Sequence, residues 1–180
     1  KARKKLVSYL INNGKTNVSG LHPHEIIKDL IEYCQSSLHS YSMKKYLSVA
    51  NKTIIINQFQ TKVNEVFETF CKLEGLDPTK DMEKIKNSRI CNIIPVMDVS
   101  GSMSGLPMEV SIGLGIFFTY IHEKCGHPPL AISFTDQPRV FDFTGQSLID
   151  RIRHVFSNVG YTTNFEETIE LKDVFFRYSN

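Results

Sequence analysis

The apolar positions of this chain change their period once, near its middle. In the first part they recur every three or four residues, the spacing of a helix with one buried face. Leu6 and Leu10, with Tyr9, predict a helix over 1–13, ended by Asn12-Asn13-Gly14. A polar loop follows to Gly20. Pro23 then suits the first turn of a helix carrying Ile26, Ile27, Leu30, Ile31 and Cys34. The stretch Ser36 to Ser42 is polar and reads as a loop. Ile55, Phe59, Val63, Val66, Phe67 and Phe70 predict a long helix over about 51–73. Its start stays open, because the β-branched run Ile54-Ile55-Ile56 also suits a strand. Gly75 stops this helix and Asp77-Pro78 turns the chain. The charged stretch 80–89 is the expected boundary between an α-helical region, 1–86, and a second domain, 87–180.

From Cys91 the pattern becomes strand, helix, strand. Residues 91–98 predict a strand. Residues 107–124 predict a helix that is apolar nearly all round: Met108, Val110, Ile112, Leu114, Ile116, Phe117 and Ile121. Such a helix packs on a sheet. Gly113 and Gly115 within it are expected to admit a close neighbour, at a cost in helix propensity. Residues 130–134 predict a second strand and 140–143 a short strand beside it. Helices are expected over 147–156, capped by Ser147, and over 164–176, capped by Thr163 or Asn164. The alternation predicts an open α/β sheet with helices on both faces. Pro95 has no amide hydrogen for a ladder, so the first strand must bulge there or begin at Val96.

Composition narrows the class. Hydrophobic residues make up 41% and charged residues 22% of the 180, as in globular domains. No apolar run is long enough to cross a bilayer. The basic cluster Lys1-Ala2-Arg3-Lys4-Lys5 is not followed by the apolar core of a signal peptide, and reads as a solvated helix face. The chain starts at Lys1, so a processed product or fragment is expected. Its net charge of +2 does not call for a nucleic-acid partner. Cys34, Cys71, Cys91 and Cys125 are scattered, with no CxxC pair, and are expected to be reduced and mostly buried. That suggests cytoplasm or nucleus. His122, Cys125 and His127 are close enough for zinc, but their spacing fits a helix end before a Gly-Pro turn better. His22 and His24 flank Pro23 and read as solvated residues at a helix entry.

One segment carries chemistry. Ile93 to Val96 is apolar and leads to Asp98, with Ser100 and Ser102 at alternate positions after it. A buried strand that ends in a carboxylate and two hydroxyls can offer oxygen ligands to a hard cation at the sheet's carboxyl end. Gly101 lets the chain turn between the serines. Mg2+ (or Mn2+) held by one carboxylate is under-neutralised and seeks an external anionic oxygen. A second loop must complete the shell, and Gly160-Tyr161-Thr162-Thr163-Asn164 is the candidate.

Asp98-Val99-Ser100-Gly101-Ser102 resembles the DxSxS metal-ion-dependent adhesion site (MIDAS) of von Willebrand factor A domains. Thr163 matches the Thr of their second metal loop. The resemblance implies that Ser100, Ser102 and Thr163 ligate the ion directly, and Asp98 directly or through water. Asp98 to Gly115, with Pro107-Met108-Glu109-Val110, is more similar still to the DUF2828 family, in which an A-like domain follows an α-helical region. Gly14-Lys15-Thr16-Asn17 and Leu21-His22-Pro23-His24-Glu25 resemble that family's helical part. This family is distantly similar in layout to TROVE-type Ro ribonucleoproteins. The implied fold is a Rossmann-like A-type open sheet. A domains take a further Asp from a later strand, so the sheet is expected to be C-terminally incomplete. Asp136 ends a strand of the wrong order for that role, and Asp173 reads as a solvated helix residue.

Two functions follow as expectations. One is a non-catalytic protein-interaction module whose metal bridges to a partner's Asp or Glu. The alternative is an RNA-associated scaffold of the Ro type. Catalysis is not expected. Ser100 stands where an aspartyl phosphotransferase has its second Asp, Gly101-Ser102-Met103 is no nucleophile elbow, and there is no P-loop or G-x-G-x-x-G.

Overall fold

A computed structural model describes residues 18, 20–38, 46–160, 164, 166 and 168–171. The helix expected over 1–13 lies outside them, as do Tyr161, Thr162 and Thr163. Of the helix expected over 164–176, residues 164, 166 and 168–171 are described; 166 and 168–171 are helical, and Asn164 is not.

The described chain is a mixed helix and sheet structure. Helices α1 (Pro23–Leu38), α2 (Val49–Leu73) and α3 (Met82–Lys86) precede a 3-10 turn at Arg89–Asn92. Then follow β1 (Val96–Asp98), a 3-10 turn at Gly101–Met103, α4 (Leu106–Lys124), β2 (Leu130–Phe134), β3 (Val140–Asp142) and α5 (Leu148–Phe156). The strands form one sheet in the order β1-β2-β3. β1 runs parallel to β2, with α4 as the crossover, and β3 returns antiparallel to β2. Register places Asp98 opposite Phe134.

Local chemistry explains where elements stop. The first strand begins at Val96, shorter than the 91–98 expected. Pro95 cannot donate, yet its carbonyl accepts from the Ile132 amide at 2.9 Å. α1 extends through Leu38, past the loop expected from Ser36. Ser36 and Ser37 stay helical by donating their hydroxyls to the carbonyls of Tyr33 and Cys34, at 3.0 and 2.7 Å. The Ile54-Ile55-Ile56 run is helical, because Ser48 caps α2 by accepting from the Asn51 amide at 3.2 Å. Ser147 caps α5 in the same way.

α4 is the element on which the others meet. Its glycines are sites of close approach, as expected. A Cβ on Gly115 would lie 2.2 Å from the Met97 side chain, and one on Gly113 would lie 2.6 Å from the Cα of His24. α1 and β1 thus rest directly on the α4 backbone. Phe59 of α2 meets Phe117 and Tyr120 edge-on, with centroids 6.0 and 5.5 Å away. α5 is tied to α4 by Arg151, which is buried, donates to Thr119 Oγ1 at 2.9 Å, pairs with Glu123 and stacks 3.9 Å above Tyr120. Ile27, Leu30 and Ile31 of α1, Phe59 and Val63 of α2, and Met97, Ile112, Ile116 and Ile152 belong to one continuous core. Among the described residues no helix is long and apolar enough to cross a membrane.

The cysteines require a correction. Cys34 and Cys71 are free and buried, as expected, and burial pushes the Cys34 thiol up to about 11. Cys91 and Cys125, however, form a disulfide. The scattered spacing concealed this, because the β1-α4 crossover returns the end of α4 to the start of β1. Their Cα atoms lie 5.9 Å apart although 34 residues separate them. The cysteine-based case for a reducing compartment therefore falls. The zinc reading also fails in the oxidised chain, where Cys125 is bonded and α4 ends at Lys124 before Gly126 turns with φ +80°. That turn was expected.

Two outcomes test this packing. Gly113→Ala gains about 1 kcal/mol of helix propensity. The clash with the α1 backbone exceeds it, so urea denaturation should show a net loss of about 1–2 kcal/mol. The second outcome concerns pH. Burial, and next the neighbouring His127, pull the His122 ring from 6.5 down to about 4, against a backbone hydrogen bond at Ile93. The unfolded chain binds that proton near pH 6.5, whereas the folded chain refuses it until about pH 4. Stability from this group is complete above the higher value and is lost as pH falls through the window, by up to about 3 kcal/mol. His122→Gln should flatten the pH dependence of the denaturation midpoint in that window.

Candidate metal centre

Asp98 stands at the carboxyl end of β1, half-buried, where the ladder to β2 ends at Phe134. The chain then tightens into the 3-10 turn Gly101–Met103. This brings three sequence-predicted residues together. Ser100 is wholly buried, and donates both its hydroxyl (2.7 Å) and its amide (3.1 Å) to Asp98 Oδ1. Ser102 Oγ is 3.0 Å from Ser100 Oγ. Ser100 has a single hydroxyl proton, and Asp98 accepts it, so Ser102 is the donor in that pair. The turn is a chain of oxygens, Ser102 to Ser100 to Asp98, arranged before any ligand arrives.

The fourth predicted residue, Thr163, lies outside the described residues. Both described ends of its segment lie at this edge of the sheet. Gly160 makes a parallel bridge with Ser100. The Asn164 amide donates to the Thr135 carbonyl at 2.8 Å, just past the end of β2. Gly160 is also closely confined: a Cβ there would lie 2.3 Å from Asp136 Oδ1 and 2.7 Å from the Thr135 Cβ. Asp136 thus sits beside Gly160, just past the carboxyl end of β2. The Ser100–Gly160 bridge had no signal in the sequence beyond the glycine itself, because an isolated bridge leaves no periodic pattern.

The donor set suits a hard, oxygen-preferring cation. One carboxylate and two hydroxyls share one turn, and hydrogen bonds already hold them in order. Among the described residues no group of three or more His, Cys, Asp or Glu side chains is arranged to hold a metal ion. A cation at Asp98 would therefore be held mainly by hydroxyl oxygens, with waters completing its shell.

No family model and no solved structure matches the chain. It is similar to an uncharacterized protein of Acanthamoeba polyphaga mimivirus, being 33% identical over 84 residues, which is 44% of this chain and 14% of that protein.

The hydrogen-bond chain makes a prediction that needs no metal. Asp98→Ala leaves the buried Ser100 amide and hydroxyl without their acceptor, and should destabilise the fold by about 1–3 kcal/mol. Asp98→Asn keeps an acceptor oxygen and should cost clearly less. Thermal denaturation of both variants in EDTA checks the difference.

Proposed function

We propose that this chain is a non-catalytic protein-interaction module that binds Mg2+ or Mn2+ at a MIDAS-type site. In this reading the sheet is part of a von Willebrand factor A-type fold, and the architecture that of the DUF2828 family. The observation that carries the proposal is the Ser102–Ser100–Asp98 chain, with its 3.0 and 2.7 Å links, at the carboxyl end of a parallel strand. That is where open α/β sheets place their ligands. Ser100 and Ser102 would contribute hydroxyl oxygens and Asp98 its carboxylate, directly or through water. Gly160 bridges Ser100, and Thr163, three residues further along the chain, would supply the remaining hydroxyl.

The charge balance gives the function. One carboxylate leaves a divalent ion with an excess of positive charge, and hydroxyls do not remove it. Mg2+ favours octahedral oxygen and keeps waters that can be exchanged. An Asp or Glu from a partner would replace one water and complete the neutralisation. In this reading Asp98 and the hydroxyls are engaged as ligands, and the ion acts as a bridge to the partner's carboxylate.

The test is a titration of the full chain with Mg2+ and with Mn2+, followed by calorimetry and thermal denaturation. At about 100 times its Kd the ion should stabilise the folded chain by about 2.7 kcal/mol. EDTA should reverse the effect, and Ser100→Ala and Asp98→Asn should remove it. The absence of heat and of any thermal shift with either ion would contradict the proposal.

A further inference from the structure

A second set of ligand-type side chains lies at the other end of β1. Cys91 precedes the strand, and His122, Cys125 and His127 surround the end of α4. Cys91 and Cys125 are bonded to each other, and the rings of His122 and His127 have centroids 6.4 Å apart. Cys91, His122 and Cys125 are each more than nine-tenths buried. His127 is held over the helix end by its amide, which donates to the His122 carbonyl at 3.0 Å.

The protonation of the two rings is the informative detail. His122 hydrogen-bonds the Ile93 backbone through one nitrogen, while Nε2 is buried with no partner. Nδ1 is then the nitrogen engaged, and its bond favours the protonated ring, so it donates to the carbonyl. Nε2 is left with a bare lone pair inside the protein. A lone pair in that position is unfavourable unless something binds it. His127 is the counterpart. Its Nε2 lies 2.7 Å from the Lys86 carbonyl, which can only accept, so the lone pair is on Nδ1. Metal-bound histidines are held in this way, with one nitrogen donating to a carbonyl and the other facing the ion.

We propose that, once the disulfide is opened, Cys91, His122, Cys125 and His127 hold a zinc ion in a tetrahedral S2N2 shell. An external dithiol donates two electrons and two protons to the bond. Cys91 and Cys125 become thiols, and the reductant leaves as its own disulfide. Zinc then displaces the two thiol protons to solvent. Two thiolates and two neutral imidazoles leave the filled site with no net charge, as a buried site requires. The softness of thiolate selects zinc here over the hard cation proposed for Asp98. Two imidazoles on one tetrahedral zinc have centroids about 5 Å apart, so the rings would close from 6.4 Å as the opened cysteines turn toward them. Opened and filled, the site would still join the start of β1 to the end of α4, so this link can be made in two redox states.

The test uses the full chain, oxidised or reduced with a phosphine, which takes oxygen from water and leaves as its oxide. Each form is incubated with excess zinc alone, desalted, and analysed for metal. The reduced chain should retain about one zinc and the oxidised chain none. Excess Mg2+ in the incubation should not change that count, which separates this site from the oxygen site at the other end of β1. Cys91→Ser and His122→Gln should each weaken retention about 100-fold or more. To keep the test independent of how either variant folds, Co2+ is also added to the reduced unmodified chain. Thiolate-to-cobalt charge-transfer bands, together with the strong visible bands of a tetrahedral ion, are expected. A reduced chain that keeps no zinc, a zinc count unchanged in both variants, or bound Co2+ without thiolate bands would overturn the proposal.

Discussion

The contact between Gly115 and Met97 positions everything that this chain presents at its sheet edge. A Cβ on Gly115 would run into the Met97 side chain, so that side chain packs directly on the α4 backbone. Met97 is wholly buried and is followed directly by Asp98. The depth to which Met97 seats thus sets the height at which the carboxylate leaves the sheet. Two residues earlier in α4, and so on the opposite side of the helix, Gly113 receives the backbone of His24 and seats α1. An apolar helix with two glycines supports the sheet on one face and the helical region on another.

Most of the architecture could be read from the chain, for reasons that differ by element. The long helix α2 announced itself because Ile55, Phe59, Val63 and Phe67 are all buried at the expected spacing. The two glycines of α4 could be read as contact points because a helix as apolar as this tolerates them only for packing. Pro95 marked the strand boundary through its missing donor. The disulfide could not be read, since Cys91 and Cys125 become neighbours only after the crossover forms. The serines that prolong α1 misled for a related reason: Ser36 and Ser37 favour loops unless their hydroxyls find carbonyls within the helix.

The site was legible in part. The alternation Asp98, Ser100, Ser102 carried its own geometry, because a tight turn after a strand places alternate side chains together. The close confinement of Gly160 by Asp136 and Thr135 was not encoded in any local pattern. It arises from two chain segments, far apart in sequence, that meet at the ends of β1 and β2. The likeness to the mimiviral protein covers 44% of this chain and brings no function with it, so the chemistry of the turn has to carry the functional reading.

The two ends of β1 thus differ in the donor atoms they carry. The carboxyl end offers oxygens in a hydrogen-bonded row, and the amino end offers sulfur and imidazole around a buried lone pair. The central claim concerns the oxygens, and crystals of the full chain soaked in Mn2+ test it most directly. Anomalous scattering should show one manganese bounded by oxygens of Asp98, Ser100, Ser102 and Thr163. Manganese found only elsewhere at saturating concentration, with the Ser100 hydroxyl still closed onto Asp98 and Thr163 turned away, would contradict the account.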